Sequence, residues 1–373
     1  MDRKDKIRIL HIAECAGGVE RYLAMLLPRL EPDFYQELLC SPRFHKETFE
    51  QSVDYVRQIP LSQTFSPVQI WKEISLLREY IKASQPDIVY CHSSFAGALG
   101  RMAAIGLPCK TVYNPHGWAF NMRQNRLKRS VYLLIERLLA KRTDAIVCIS
   151  RAEWQSAVQY RIGKEEQYRL IPSGIDVEAV MKATPISRET IGLADDDFVI
   201  GAIGRLVPQK SPDVFVKAAE LIQKEIPNAA FVFLGDGEQM EEIWTFAQTR
   251  HIKLVMPGWV NNPYAYLRIF DVAMSLPRWE GFGLAIAEYM AARKSIIATR
   301  VDAIPTLIED GKEGLLVPVD SPEEVKEKVV FLYNHPQEAE RLSTNAYEKV
   351  CRDLRIERVA EQHGQVFNEI VKL

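Results

Sequence analysis

Short apolar runs alternate with longer stretches of helical periodicity through almost the whole chain. The runs Ile7 to Ile12, Tyr35 to Cys40, Asp87 to Cys91, Cys109 to Asn114 and Asp144 to Ile149 predict strands. Helical patterns fall between and after them, around residues 19 to 31, 67 to 84, 94 to 105, 124 to 142 and 150 to 161. Such alternation marks parallel sheets with helices on both faces. After Ile171-Pro172-Ser173-Gly174-Ile175-Asp176 the periodicity pauses, and a polar stretch runs to Asp197. That pause predicts a hinge. A second series follows, with strands predicted at Phe198 to Gly204, Ala230 to Leu234, Lys253 to Met256, Val272 to Ser275, Ser295 to Thr299 and Gly314 to Val317. Helical patterns fill the tail from Pro322 onward. The expectation is an α/β protein of two Rossmann-like domains, residues 1–175 and 176–354, with residues 355–373 forming a helix that packs back on the first domain. No short repeat relates the halves.

A chain of 373 residues suits two domains with a cleft between them better than one core. Apolar residues at 47% and charged residues at 26% exclude a disordered chain. The net charge of −2 hides an asymmetry. Residues 1–175 hold 25 Lys and Arg against 18 Asp and Glu, and residues 176–373 hold 22 against 31, giving +7 and −9. A basic first half suits an anionic partner, such as a phosphorylated acceptor or the inner leaflet of a membrane, although a chance distribution gives the same count. The six cysteines, Cys15, Cys40, Cys91, Cys109, Cys148 and Cys351, show neither a CxxC pair nor metal-ligand spacing, and read as reduced thiols. Met-Asp-Arg-Lys-Asp-Lys leads directly into the first strand, and no apolar run reaches the roughly 18 residues of a membrane span. The expected location is cytoplasmic, at most peripheral to a membrane. Nothing resembles a nucleic-acid module.

Open parallel sheets bind ligands at the carboxyl ends of their strands, so the loops there carry the candidate chemistry. In Gly204-Arg205-Leu206-Val207-Pro208-Gln209-Lys210-Ser211-Pro212-Asp213, Ser211 reads as a helix N-cap, with Pro212 first in the helix and Asp213 in its first turn. Arg205 and Lys210 beside that positive helix end suit a diphosphate; the plain alternative is a solvated loop. In Arg278-Trp279-Glu280-Gly281-Phe282-Gly283-Leu284, Glu280 precedes a glycine turn that allows close backbone approach to a ligand. Glu288 follows in an otherwise apolar helix, where a buried carboxylate needs a partner: sugar hydroxyls or a neighbouring Arg. Gly17-Gly18 after the first strand suits a phosphate or an ordinary turn. His116-Gly117 after the strand ending at Asn114 is catalytic or structural. The full GxGxxG of nicotinamide enzymes is absent, which counts against a dehydrogenase.

Together these loops resemble the family 4 retaining glycosyltransferases of the GT-B fold, of the kind that build capsular, exo- or lipopolysaccharide. The resemblance rests on Gly17-Gly18-Val19-Glu20, His116-Gly117, Pro172-Ser173-Gly174-Ile175-Asp176, Gly204-Arg205-Leu206 with Lys210, Gly235-Asp236-Gly237, and Glu280 with Glu288. It implies that Arg205 and Lys210 hold the donor diphosphate and Glu288 the ribose. Glu280, with the backbone N–H groups of Phe282, Gly283 and Leu284 after Gly281, would orient the donor sugar, and His116 would sit beside it. Gly17 and Gly18 would approach the phosphates, and Gly258-Trp259-Val260 the base. Ser173 departs from the family's usual Asn, at a position that shapes the hinge more than the chemistry. The resemblance also implies retention of configuration, with the leaving phosphate helping to deprotonate the acceptor.

Breaking the anomeric bond builds negative charge on the departing diphosphate, which Arg205, Lys210 and the helix end can stabilise. No metal and no cofactor is expected; a UDP- or GDP-linked sugar is the co-substrate. Residues 121–142 form a basic amphipathic pattern that either covers a core or rests on anionic lipid. With the positive first half, it favours a glycan carried on a polyprenyl diphosphate as acceptor. The competing readings are a sugar-nucleotide epimerase or a phosphorylase on the same fold, and a non-catalytic nucleotide-sugar sensor. A glycoside hydrolase has no use for the phosphate loop.

Overall fold

The computed structural model describes residues 6–14, 17–30, 33–61, 63, 66–122 and 124–372. The chain divides into two compact units, the first ending at Gly174 and resuming at Ile356, the second spanning Ile175–Arg355. In the first unit the strands are β1 (Ile7–Ala13), β2 (Phe34–Cys40), β3 (Tyr55–Gln58), β4 (Ile88–His92), β5 (Lys110–Asn114), β6 (Ala145–Cys148) and β7 (Tyr168–Leu170). They form one sheet in the order β3-β2-β1-β4-β5-β6-β7, every pair parallel. The helices between them are α1 (Gly18–Leu30), α2 (Pro67–Ser84), α3 (Ser94–Ala104), α4 (Arg126–Ala140) and α5 (Arg151–Gln159). Central β4 is buried along its whole length, as a strand covered on both faces must be. The edge strands β3 and β7 lie where no apolar run predicted one.

Each face of this sheet has its own chemistry. Leu10, Ile12, Val89, Cys91 and Tyr113 pack against Leu77, Ile81 and Leu99 of α2 and α3 in an apolar core. Register pairs His11 with Tyr90, and His92 with Asn114, so these polar side chains alternate onto the other face. The core also holds a charged pair. Arg101 of α3 donates to Glu136 of α4 at 2.7 Å and, through Nε, to the Gly97 carbonyl at 2.8 Å. Tyr113 donates its hydroxyl to the same Glu136 at 2.8 Å, and the guanidinium lies 3.7 Å from the Tyr113 ring centroid.

The second unit opens with α6 (Val177–Lys182), within the stretch whose sequence predicts a pause. Its start is capped by Asp176, which accepts from the Ala179 N–H at 2.8 Å. There follow β8 (Phe198–Ile203), α7 (Pro212–Glu225), β9 (Ala229–Leu234), α8 (Met240–Thr249), β10 (Leu254–Gly258), α9 (Pro263–Leu267) and β11 (Val272–Ser275). The series ends with α10 (Leu284–Ala291), β12 (Ser295–Thr299), α11 (Ile304–Leu307), β13 (Leu315–Val317), α12 (Pro322–Asn334) and α13 (Pro336–Asp353). Its parallel sheet runs β10-β9-β8-β11-β12-β13. The last helix, α14 (Ile356–Lys372), belongs to the first unit, where Phe367 meets Phe34 edge-on with centroids 5.5 Å apart.

Cys40, Cys91 and Cys148 are buried free thiols, and Cys109 and Cys351 are half-buried; Cys15 lies outside the described residues. Burial pushes the Cys91 thiol up to about 12, so it is an inert packing group. No helix among the described residues is long and apolar enough to cross a membrane.

Candidate active site

In the second sheet the strand order reverses between β8 and β11, and a doubly wound sheet has its binding crevice at the carboxyl ends of such a pair. The two strands pair only at Ile200 with Val272 and Gly201 with Ala273, and then part. Beyond that point the Ile203 N–H donates to the Tyr289 hydroxyl at 2.7 Å, which itself donates to the Met274 carbonyl at 3.3 Å. A pocket opens between the strand ends, lined by Gly204, Lys210, Ser275 and Pro277 among others.

The Gly235-Asp236-Gly237 turn supports the floor of this loop by close backbone approach. A Cβ at Gly235 would lie 1.9 Å from the Gly204 carbonyl oxygen, and one at Gly237 would lie 2.4 Å from that of Leu206. The Leu206 N–H donates to the Asp236 carbonyl at 2.9 Å. These glycines serve the packing of one loop on another.

Helix α7 begins at Pro212, but Ser211 does not cap it in the expected way. It adopts a left-handed conformation (φ 52°, ψ 50°) after a 3-10 turn, Pro208–Lys210, and its hydroxyl makes no capping bond. Ser211 instead gives its carbonyl to the N–H groups of Val214 and Phe215 at 3.1 and 3.2 Å. Asp213, in the first turn, is taken by Arg278, whose Nη2 donates to both carboxylate oxygens at 3.1 and 2.8 Å. Arg278 also donates to Asp320 and to the Pro208 carbonyl, each at 2.7 Å, and Gln209 donates to the Trp279 carbonyl at 3.0 Å. The loop after β8 and the loop after β11 are thereby tied into one frame. Sequence reasoning gave Arg278 and Gln209 no part in it, because their partners lie 42 to 70 residues away.

Within that frame Lys210 donates its ammonium to the Glu280 carboxylate, and both side chains are partly buried. Glu280 is held by its own N–H, which donates to Asp302 at 3.0 Å. Arg205 is exposed, with Nη2 3.4 Å from Gln209 Oε1. Gly281 and Leu284 are half-buried, Phe282 and Gly283 buried, and Gly283 sits at φ 98° where α10 starts. Glu288 has no exposed surface. Trp259 is 64% exposed and Val260 half-buried, just past β10. The structure thus gathers Arg205, Lys210, Glu280 and the Gly281–Leu284 turn at the β8 and β11 ends, Trp259 and Val260 lying at the same edge of the sheet. A cationic pair beside an acid that can release it is suited to gripping an anionic group such as a diphosphate.

The remaining candidates belong to the first unit. Gly17 (φ 88°) and Gly18 open α1, and a Cβ on either would meet nothing within 4 Å. Glu20 is engaged locally, accepting from the His45 N–H at 2.6 Å. His116 follows β5 in a left-handed conformation (φ 50°). Its N–H donates to Asn114 Oδ1 at 3.0 Å, and the next N–H, of Gly117, donates to Glu153 Oε1 at 2.5 Å. Burial pushes the Glu153 carboxyl up to about 7, against the pull of the Gly117 and Ile149 N–H groups. His116 is also not the isolated histidine its sequence surroundings suggest: its Nε2 lies 3.1 Å from His92 Nδ1. Burial lowers His116 to about 3, leaving the ring neutral.

Two units, each built on a doubly wound parallel sheet, are the architecture of the GT-B class. Residues 16–179 match Glycosyltransferase Family 4 and residues 184–349 match Glycosyl transferases group 1. The chain belongs to the glycosyltransferases built from that pair of domains. It is 29% identical over 328 residues, 84% of each chain, to the UDP-Gal:alpha-D-GlcNAc-diphosphoundecaprenol alpha-1,3-galactosyltransferase of Escherichia coli. It is 27% identical to a 41.2 kDa protein of the Klebsiella pneumoniae cps region, covering 92% of this chain and 96% of that one. Among solved structures, Anabaena HepE with UDP-glucose superposes with a TM-score of 0.83 at 18% identity, over 97% of this chain and 100% of that one.

Proposed function

We propose that the protein is a retaining, metal-independent glycosyltransferase of the cytoplasmic face, moving a sugar from a UDP- or GDP-linked donor to a glycan carried on a polyprenyl diphosphate. The observation that carries this reading is the Lys210–Glu280 pair at the β8/β11 crevice. In this reading the donor diphosphate takes Lys210 away from Glu280 and also meets Arg205, so the charge of the leaving group is neutralised as it develops. Glu280, released, accepts from hydroxyls of the donor sugar beside the N–H groups of Phe282, Gly283 and Leu284. Trp259 and Val260 meet the base, Gly17 and Gly18 the phosphates, and His116 the sugar. The buried Glu288 reaches the ribose only if its side chain moves. The E. coli relative, named for a UDP-galactose donor and a diphosphoundecaprenol acceptor, supports the choice of acceptor class.

The test is a panel of UDP- and GDP-sugars with GlcNAc-diphosphoundecaprenol in detergent. Free nucleotide diphosphate and an extended lipid are expected, with the new linkage in the donor's anomeric configuration and the rate unchanged by EDTA. An inverted product, a rate abolished by EDTA, or an epimerised or phosphorolysed sugar with no extended lipid would each overturn the part of the reading it addresses.

Helix α4 supports the peripheral membrane contact. Its buried Glu136, Leu139 and Ala140 face the core, while Leu127, Val131, Leu134 and Leu138 are 76, 43, 57 and 54% exposed. At a 100° advance per residue these four share one face, opposite the buried one. Arg126, Lys128, Arg137 and Lys141 flank the stripe, an arrangement that suits insertion between anionic headgroups. The full-length protein is expected to co-sediment with vesicles containing phosphatidylglycerol and to lose that binding when Leu134 and Leu138 are both changed to Asp. Equal recovery of both proteins in the supernatant would remove the membrane from the reading.

A further inference from the structure

His11, His92, His116 and His363 come together on the α1 and α14 face of the first sheet, from four segments far apart in sequence. His11, His92 and His363 have no exposed surface. His11 Nδ1 is 3.2 Å from His92 Nε2, and His92 Nδ1 is 3.1 Å from His116 Nε2, so the three rings form one chain. Burial lowers His11 and His116 to about 3 and His92 well below its ordinary value, so all three are neutral. Each contact between nitrogens needs one proton. With three neutral rings only two arrangements supply both: every ring protonated at Nε2, or every ring protonated at Nδ1.

The far end of the chain selects between them. Gln36 shares the face of His11, since β2 residue Gln36 pairs with Ile9. Its amide nitrogen donates to the Leu27 carbonyl at 3.0 Å, which fixes the orientation of the side chain. Gln36 Oε1 and His11 Nε2 are both buried and neither makes a hydrogen bond of normal length and angle, while Gln36 is the neighbour that offsets part of the effect of burial on the His11 ring. An oxygen there needs a donor, which places a proton on His11 Nε2.

We propose that Gln36, His11 and His92 are positioning residues that hold His116 in the Nε2–H tautomer, so that its Nδ1 presents an unshared pair to a substrate hydroxyl. From the far end, the Leu27 carbonyl orients Gln36, which accepts from His11 Nε2–H. His11 Nδ1 accepts from His92 Nε2–H, and His92 Nδ1 accepts from His116 Nε2–H. His116 is thereby an acceptor and not a proton donor. The neighbouring His363 lies outside this chain: its Nδ1–H donates to the Val359 carbonyl at 2.8 Å, leaving Nε2 to accept from Tyr90 at 3.0 Å. The role of His116 toward substrate rests on the transferase reading above, whereas its tautomer does not.

The test is long-range 15N–1H correlation spectroscopy on the full-length protein with 15N-labelled histidine, without any substrate. His11, His92 and His116 are expected as neutral Nε2–H rings at pH 7, assigned by loss of each signal in the corresponding His→Gln variants. A Nδ1–H form for His116 overturns the proposal, whatever the enzyme transfers. Gln36→Leu removes the selecting oxygen and keeps the side-chain bulk. It is expected to give His116 a mixture of tautomers and to lower kcat about tenfold to a hundredfold with little change in KM for the donor, measured with UDP-galactose and GlcNAc-diphosphoundecaprenol or whichever pair the panel identifies. An unmixed Nε2–H His116 in that variant overturns the role of Gln36. A mixed tautomer with unchanged kcat overturns the role of the chain in transfer.

Discussion

Lys210→Ala is expected to lower kcat by about a hundredfold to a thousandfold, the range found when one preorganised stabiliser of developing negative charge is removed. Lys210 lines the β8/β11 pocket, and its ammonium is held by Glu280 and by no other acceptor among the described residues. A diphosphate carries more charge than one carboxylate and can outcompete it for the ammonium. The folded structure should survive, because both partners remain partly solvated and Glu280 keeps its backbone bond to Asp302. Steady-state kinetics beside a thermal melt separate the two effects. Near-normal kcat with an unchanged melt would mean that the cation does not act on the leaving group; a large drop in the melting temperature would make the ion pair structural.

The second large effect is on stability. Replacing Arg101 by Met leaves Glu136 charged beneath α4, with only the Tyr113 hydroxyl to receive it. Removing one partner of a buried pair costs about 3–5 kcal/mol, whereas replacing both by apolar groups of similar size can be neutral. Urea unfolding of the first unit should therefore show a loss of that size for Arg101→Met, and recovery of most of it when Glu136→Leu is added. A single variant within about 1 kcal/mol of the parent would show that water or rearrangement relieves the stranded charge.

The strand and helix alternation was legible because buried parallel strands are continuous apolar runs and their covering helices keep a helical period. Strand β3 was not, since Tyr55-Val56-Arg57-Gln58 lies at an edge and only Val56 is other than exposed. Short β7 and α6 offer too few residues for a period to register. For the candidate site, the loops carrying Arg205, Lys210 and Glu280 could be found from their place after strands. The tie through Arg278 could not, because it depends on which loops the sheet order makes neighbours. Ser211 shows the limit of local rules: its type suits a cap, but the preceding 3-10 turn rotates it out of capping geometry. His116 read as isolated because only the adjacency of β1, β4 and β5 brings His11 and His92 to it.

The polypeptide leaves the first unit at Gly174 and re-enters it at Ile356, with Ile175 and Arg355 bridged as neighbours at the two crossings. The amino-terminal half is therefore not a self-sufficient fragment. Cutting the gene after residue 174 would strip α14 from Phe34 and Tyr90 and leave an apolar face bare to solvent. An isolated version of that half needs its last helix grafted back, and the closeness of the two crossings makes a short artificial linker between 174 and 356 sufficient.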